Sequence, residues 1–153
     1  MIPLTDESKV ASEEPAMGRF SVEVELANNH DLELAAAGHL PAGQVRTLRV
    51  LGLVDSGAAR LVIPQAICDQ LGLVPTRQTR VTYADKHSAQ RPLVDSVYLT
   101  YLDRGGVFSA IVEPARDTAL IGTIVLEELD LVVDCTQQRL VPRDPKQIIS
   151  EIE

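Results

Sequence analysis

At 153 residues the chain is long enough for one domain with a proper core. Aromatic residues make up only 3% of it and tryptophan is absent, against a hydrophobic share of 45%, so valine, leucine and isoleucine must fill that core, and the β-branched ones favour strands. The balance of 22 acidic against 14 basic residues gives a net charge of −8, which repels phosphate backbones and anionic lipid and argues against nucleic acid or a membrane surface as partner.

Residues 1–17 are polar, acid-rich and aperiodic, and read as a mobile tail ahead of a domain at 18–143. They carry acids and no apolar h-region, so they do not read as a secretory signal. The first periodic stretch is "RFSVEVELA", where Phe20, Val22, Val24 and Leu26 alternate with polar residues as in a strand with one buried face. Asn28-Asn29-His30 breaks it, and "DLELAAAGHLPAGQ" reads as a short helix or an irregular loop. From Val45 to Val54 the chain is strand-like again and ends at Asp55. After Asp55-Ser56-Gly57 comes a short apolar strand, Leu61 to Ile63, and then a helix opened by Pro64 and stopped by Gly72.

Val81 to Tyr83 and Leu93 to Leu102 form the arms of a predicted hairpin around the polar tip "ADKHSAQR". A second turn is expected at Arg104-Gly105-Gly106. "TALIGTIVLEELDLVVDCTQQRLVP" reads as a short strand to Ile121, a turn at Gly122, a helical turn through Glu128 and a closing hairpin. Residues 144–153 form a short C-terminal helix or tail, with Asp144 as N-cap, Pro145 at the first helical position and an apolar stripe of Ile148, Ile149 and Ile152. Many short strands with two or three short helices predict a mostly β fold, a barrel or a sandwich.

Cys68 and Cys135 belong to no Cys-x-x-Cys pair, which leaves neither a disulfide framework nor a structural zinc site. No apolar run is long enough to span a bilayer. The expectation is a cytoplasmic protein with reduced thiols. His30, His39 and His87 do not fall at metal-ligand spacings, so neither a metal nor another cofactor is expected.

Asp55-Ser56-Gly57 carries the chemistry. Alone, Asp-[Ser/Thr]-Gly is a weak signal that recurs by chance in roughly one chain of this length in fifteen, and its plainest reading is a type I turn between strands. Here an apolar strand precedes it, Ala58 follows it, and a second apolar pair before glycine, "ALIG", comes much later and leads into a short helix. The set "LVDSGA", then "VTYADKHSAQRPLV", then "LIGTIVLEELDLVVD" resembles the retropepsin-like aspartic proteases, in order and over Val45 to Pro142. The resemblance implies a closed, acid-protease-type β-barrel. Asp55, Ser56 and Gly57 become its catalytic loop, and "LIG" crosses behind that loop. The hairpin becomes a flap over the substrate, with Ala58, Tyr83, Ala84, Asp85 and Gly122 binding it. Family flaps commonly turn at glycine, whereas this tip has Lys86 and His87.

In that family the aspartate activates a water for attack on a peptide carbonyl. The chemistry needs one ionised and one protonated carboxyl sharing a site. This chain has one Asp-Ser-Gly, so the second carboxyl is expected from Asp55 of another copy, in a C2 homodimer acting on protein or peptide. A serine hydrolase would need Gly-x-Ser-x-Gly, and "VDSGA" lacks the first glycine. An aspartyl-phosphate mechanism would want a second Asp where Gly57 stands. The alternative on the same fold is a dimeric peptide-binding module without turnover. The isoleucine stripe packs either on the partner subunit or on its own barrel.

Overall fold

Strand β1 (Arg19–Asn28) opens the part of the chain that the structure, a computed structural model, describes: residues 19–153. The tail expected over 1–17 lies outside the described residues. Phe20, Val24 and Leu26 of β1 point into the core, as their alternation predicts. The Asn28-Asn29-His30 break is a helix start. Asn28 Oδ1 accepts the amide of Asp31 at 3.0 Å and caps α1 (Asn29–Ala36), so the ambiguous segment becomes a helix followed by a 3₁₀ turn at Ala42–Gln44. Buried Asp31 then anchors Arg46, taking its Nε at 2.8 Å and its Nη2 at 3.0 Å.

Strand β2 (Thr47–Asp55) returns antiparallel to β1 and brings Asp55 opposite Arg19. All four residues of β3 (Leu61–Pro64) are buried, and α2 (Gln65–Gln70) follows Pro64 as expected. Strands β4 (Arg77–Thr82) and β5 (Ser88–Tyr101) form the predicted hairpin, but the ladder runs closer to the tip than the sequence indicated. Thr82 pairs with Ser88, which leaves only Tyr83 to His87 as the loop. Ser88, Gln90 and Arg91 look like tip residues because they are polar: one face of β5 there is exposed and the other is only half-buried, by Ala89 and Arg91, so no apolar alternation marks it.

Strand β6 (Arg104–Glu113) starts at Arg104, so the expected turn at Arg104-Gly105-Gly106 falls earlier, at Leu102-Asp103, with Leu102 at φ 56°. Arg104 is buried and its guanidinium donates to the carbonyls of Leu129 and Asp130, which holds it in the strand. Strand β7 (Ala119–Ile121), α3 (Thr123–Glu128), β8 (Leu131–Asp134) and β9 (Arg139–Pro142) complete the chain.

Hydrogen-bonded neighbours run β1-β2-β7-β3-β6-β5, and Glu25–Asn28 of β1 pair with Val97–Thr100 of β5 to close a six-stranded barrel. The mostly β closed barrel with short helices is therefore the fold of the chain. Closure leaves no edge inside the ring; β4 hangs outside it, bonded among the described residues to β5 alone. Valine, leucine and isoleucine dominate the core, with Phe20 and Phe108 its aromatic members. Most pairings are antiparallel, but β7 runs parallel to β2 with Ile121 opposite Val54. That pairing sets Gly122 beside the end of β2.

Residues 144–153 form no helix. Asp144, expected as an N-cap, accepts the amides of Lys146 at 2.8 Å and Gln147 at 3.2 Å in a local turn. Arg104 takes the carbonyls of Asp144 and Gln147, and Asp130 takes the amide of Ile149 at 3.1 Å. Tertiary partners thus consume backbone groups that a helix would need for itself.

Candidate active site

The end of β2 delivers Asp55 into a tight turn closed by the Ala58 amide on the Asp55 carbonyl at 3.1 Å. Asp55 Oδ1 accepts the Gly57 amide at 2.9 Å, which orients the carboxylate. A Cβ on Gly57 would sit 3.2 Å from that oxygen, tighter than side chains normally pack. The other oxygen, Oδ2, accepts Arg19 Nη2 at 3.0 Å. The Asp55 side chain keeps 16% of its surface open to solvent, and Ser56 is exposed.

Behind this turn the "LIG" segment acts as a clamp. Gly122 lies so close that a Cβ there would meet Arg60 O at 2.4 Å and Ala59 C at 2.7 Å, both backbone atoms. Just past it, the first amides of α3 leave the helix's own pattern. Thr123 N donates to Ala58 O at 2.9 Å and Ile124 N to Ala59 O at 3.0 Å. Helix starts have unpaired amides, and here the Asp55 loop satisfies two of them. Two loops 65 or so residues apart thereby become one rigid unit.

In front of the turn is a cleft of about 650 Å³ between the Asp55 loop, the β4–β5 tip and the β6–β7 connection. Of the predicted site residues, Gly57, Ala58, Tyr83 and Ala84 line it. Asp55 itself does not line it, but Gly57 and Arg19, to which its two oxygens are bonded, do. Ser56, Asp85 and Gly122 stand outside the walls. Gly122 serves the loop from behind. Asp85 closes the tip, taking the His87 amide at 3.1 Å and meeting His87 Nδ1 at 2.6 Å, and the imidazole beside it lowers its pKa. Lys86 holds φ 78° in that tip, the left-handed position that a glycine would take without strain.

Sequence reasoning missed two residues. Glu113, buried at the end of β6, accepts the Tyr83 hydroxyl and, at 3.0 Å, Arg91 Nε. Arg91 Nε also donates to Tyr83 Oη at 2.9 Å, and the Tyr83 ring stacks on His87 at 4.5 Å. Burial, then the bond to Glu113, push the Tyr83 pKa up. Glu113 carried the same sign as Asp55, an acid ending an apolar run ("VFSAIVE"). Arg19 carried no sign, because only the β1–β2 register brings it to Asp55.

Cys68 is buried, its thiol on Leu73 O at 3.4 Å, and Cys135 is exposed; the two are unbridged. No group of His, Cys, Asp and Glu among the described residues is arranged to hold a metal ion, and no described helix is long and apolar enough to cross a membrane.

No family model matches the sequence, and no curated protein matches it. Among solved structures the chain is similar to a retropepsin-like aspartic protease from Rickettsia conorii. That match has 15% identity and a TM-score of 0.44, and covers 76% of this chain and 87% of the other.

Proposed function

We propose that the chain is an aspartic endopeptidase that works as a homodimer. The observation that carries this reading is Asp55 itself. Its carboxylate is fixed by Gly57, its loop is clamped by Gly122 and α3, and it stands at the border of a cleft roofed by a hairpin. One such carboxyl cannot act as both base and acid in the same step, so the second comes from Asp55 of another copy. Two carboxyls a few ångströms apart do not both ionise, and the pair shares one proton.

The ionised carboxylate takes a proton from the water between them as that water's oxygen bonds to the peptide carbonyl carbon. The protonated carboxyl gives its proton to the carbonyl oxygen. The tetrahedral diol then collapses: the C–N bond breaks as the carboxyl that took the water's proton gives it to the leaving nitrogen, and the other carboxylate takes a proton from one diol hydroxyl, which becomes the carbonyl oxygen of the new acid. The exposed Ser56 hydroxyl would bond across the dimer axis and hold the two loops together.

Cleavage of a peptide library across pH, with wild type beside Asp55→Asn, tests the reading. The variant is expected to lose at least about a thousandfold in rate, and the wild type to sediment as a dimer. Equal rates, or a monomer at high concentration, would overturn it. The Arg19–Asp55 ion pair favours a second reading, a dimeric peptide-binding module, because a guanidinium on one carboxylate oxygen holds Asp55 in its ionised form. That reading expects peptide binding with turnover in neither protein.

A further inference from the structure

The arginines of this acidic chain are distributed unevenly. Of eleven, seven are ion-paired to carboxylates among the described residues: Arg19, Arg46, Arg49, Arg77, Arg91, Arg139 and Arg143. Arg104 is buried and spends its guanidinium on main-chain carbonyls. The three that remain, Arg60, Arg80 and Arg116, all line the cleft beside Asp55. They come from separate elements, the Asp55 loop, β4 and the β6–β7 connection, so no single strand's periodicity explains their meeting. Arg116 is also held in place: its Nε donates to Thr118 O at 3.0 Å and its Nη2 to Thr118 Oγ1 at 3.4 Å. The one acid that lines the same cleft among the described residues, Glu113, is already neutralised by Arg91.

The cleft's long wall adds a second, independent feature. Four consecutive residues of β4, Thr79 to Thr82, line it, followed by Tyr83 and Ala84 of the tip. Successive strand residues face opposite sides, so a cleft that touches all four meets the strand along its edge. Among the described residues β4 is the outer strand of its sheet and is bonded to β5 alone. Its other edge therefore offers main-chain donors and acceptors to an extended chain, the geometry of strand addition.

From these two observations we infer that the cleft selects acidic peptides, bound extended along β4 with their carboxylates on Arg60, Arg80 and Arg116. This rests on reading the cleft as the peptide site and names its substrate class. Guanidinium groups match carboxylates with paired hydrogen bonds, and three converging on one groove would otherwise repel each other without compensation. The same charges could attract nucleic acid. The net charge of −8 opposes that at long range, and the cleft's aromatic, Tyr83, is already stacked on His87.

Binding of matched peptides to the wild-type protein, by fluorescence anisotropy, tests this apart from catalysis. Each peptide carries a non-hydrolysable hydroxyethylene at its centre and is flanked by Glu or by isosteric Gln; cleavable versions of both are assayed in parallel. The Glu peptide is expected to bind about tenfold or more tightly, and the preference should shrink as salt is raised. The triple variant Arg60→Gln/Arg80→Gln/Arg116→Gln, checked for an unchanged circular dichroism spectrum, should lose the preference. Equal binding of the two peptides, a preference kept by the triple variant, or tighter binding of a single-stranded oligonucleotide than of the Glu peptide would each overturn the inference. Acidic binding without cleavage of either peptide supports it while sinking the peptidase reading. Cleavage of both with no preference does the reverse.

Discussion

Gly122 stands 2.4 Å, as measured from an added Cβ, from the carbonyl oxygen of Arg60, and backbone on both sides leaves nothing flexible to give way. Gly122→Ala must therefore push the Asp55 loop away from α3 and break the bonds from Thr123 and Ile124. The expected cost is about 3 kcal/mol, the upper range for overpacking a tight site, read as a lower urea midpoint. A variant within about 0.5 kcal/mol of wild type would show that the clamp is loose. The other tight residue of the site, Gly57, touches only a side-chain oxygen at 3.2 Å, so it governs the carboxylate's angle more than the loop's position. Glu113 belongs to the same scale. Its bonds to Tyr83 and Arg91 fix the tip end of the hairpin against the barrel wall.

At the scale of elements, the β4–β5 hairpin is held at two places. Near its tip the Tyr83–Glu113–Arg91 set joins it to β6. At its root Asp95 accepts Thr76 Oγ1 and Arg77 Nη2, each at 2.6 Å, and Ser109 Oγ at 3.1 Å, joining β4 to β5 and β6. Asp95 sits where the β5 register shifts between Val94 and Val97, and the irregularity is what turns its carboxylate toward three donors. Arg77 first, then the two hydroxyls, hold its pKa at about 2 against an ordinary 3.8. A depressed carboxylate stabilises the fold in its ionised form, so this contribution is complete above the unfolded value and is lost as pH falls from about 4 toward about 2. The melting temperature of wild type should exceed that of Asp95→Asn at pH 6, and the gap should close over that window. A gap that stays constant down to pH 2 would remove the root from the account.

On the scale of the whole molecule, the barrel closes on itself through β1 and β5, and the C-terminal segment then straps its base. Arg104, buried in β6, binds carbonyls of Leu129, Asp130, Asp144 and Gln147, so one side chain joins β6, the end of α3 and the strap. Arg143 and Asp130 reinforce it through Ile149. Truncation after Arg143 should cost about 2 kcal/mol, because a buried guanidinium loses two of its acceptors, with urea unfolding as the measure. Unchanged stability would show that the strap merely rests on the barrel. Ile148 and Ile149 keep 40% and 38% of their surface exposed even when strapped, and Ile152 keeps 91%.

The sequence by itself determined the features whose causes are local. Alternation identified β1, proline and glycine bounded α2, and the Asp-Ser-Gly turn and the later Leu-Ile-Gly were both visible as acid or glycine at the end of an apolar strand. Those signals depend on neighbours within a few residues, and the structure keeps them. It moved the hairpin turns by a few residues and replaced the C-terminal helix with a strap, since long-range partners there outbid local preference. Which distant groups meet is settled by the tertiary fold: Arg19 on Asp55, Gly122 against Arg60, Glu113 beneath Tyr83, and, around one cleft, three arginines with no carboxylate partner among the described residues. Strand register and barrel closure set those meetings. Neither leaves a periodic trace in the chain, because each is fixed by pairing between segments tens of residues apart.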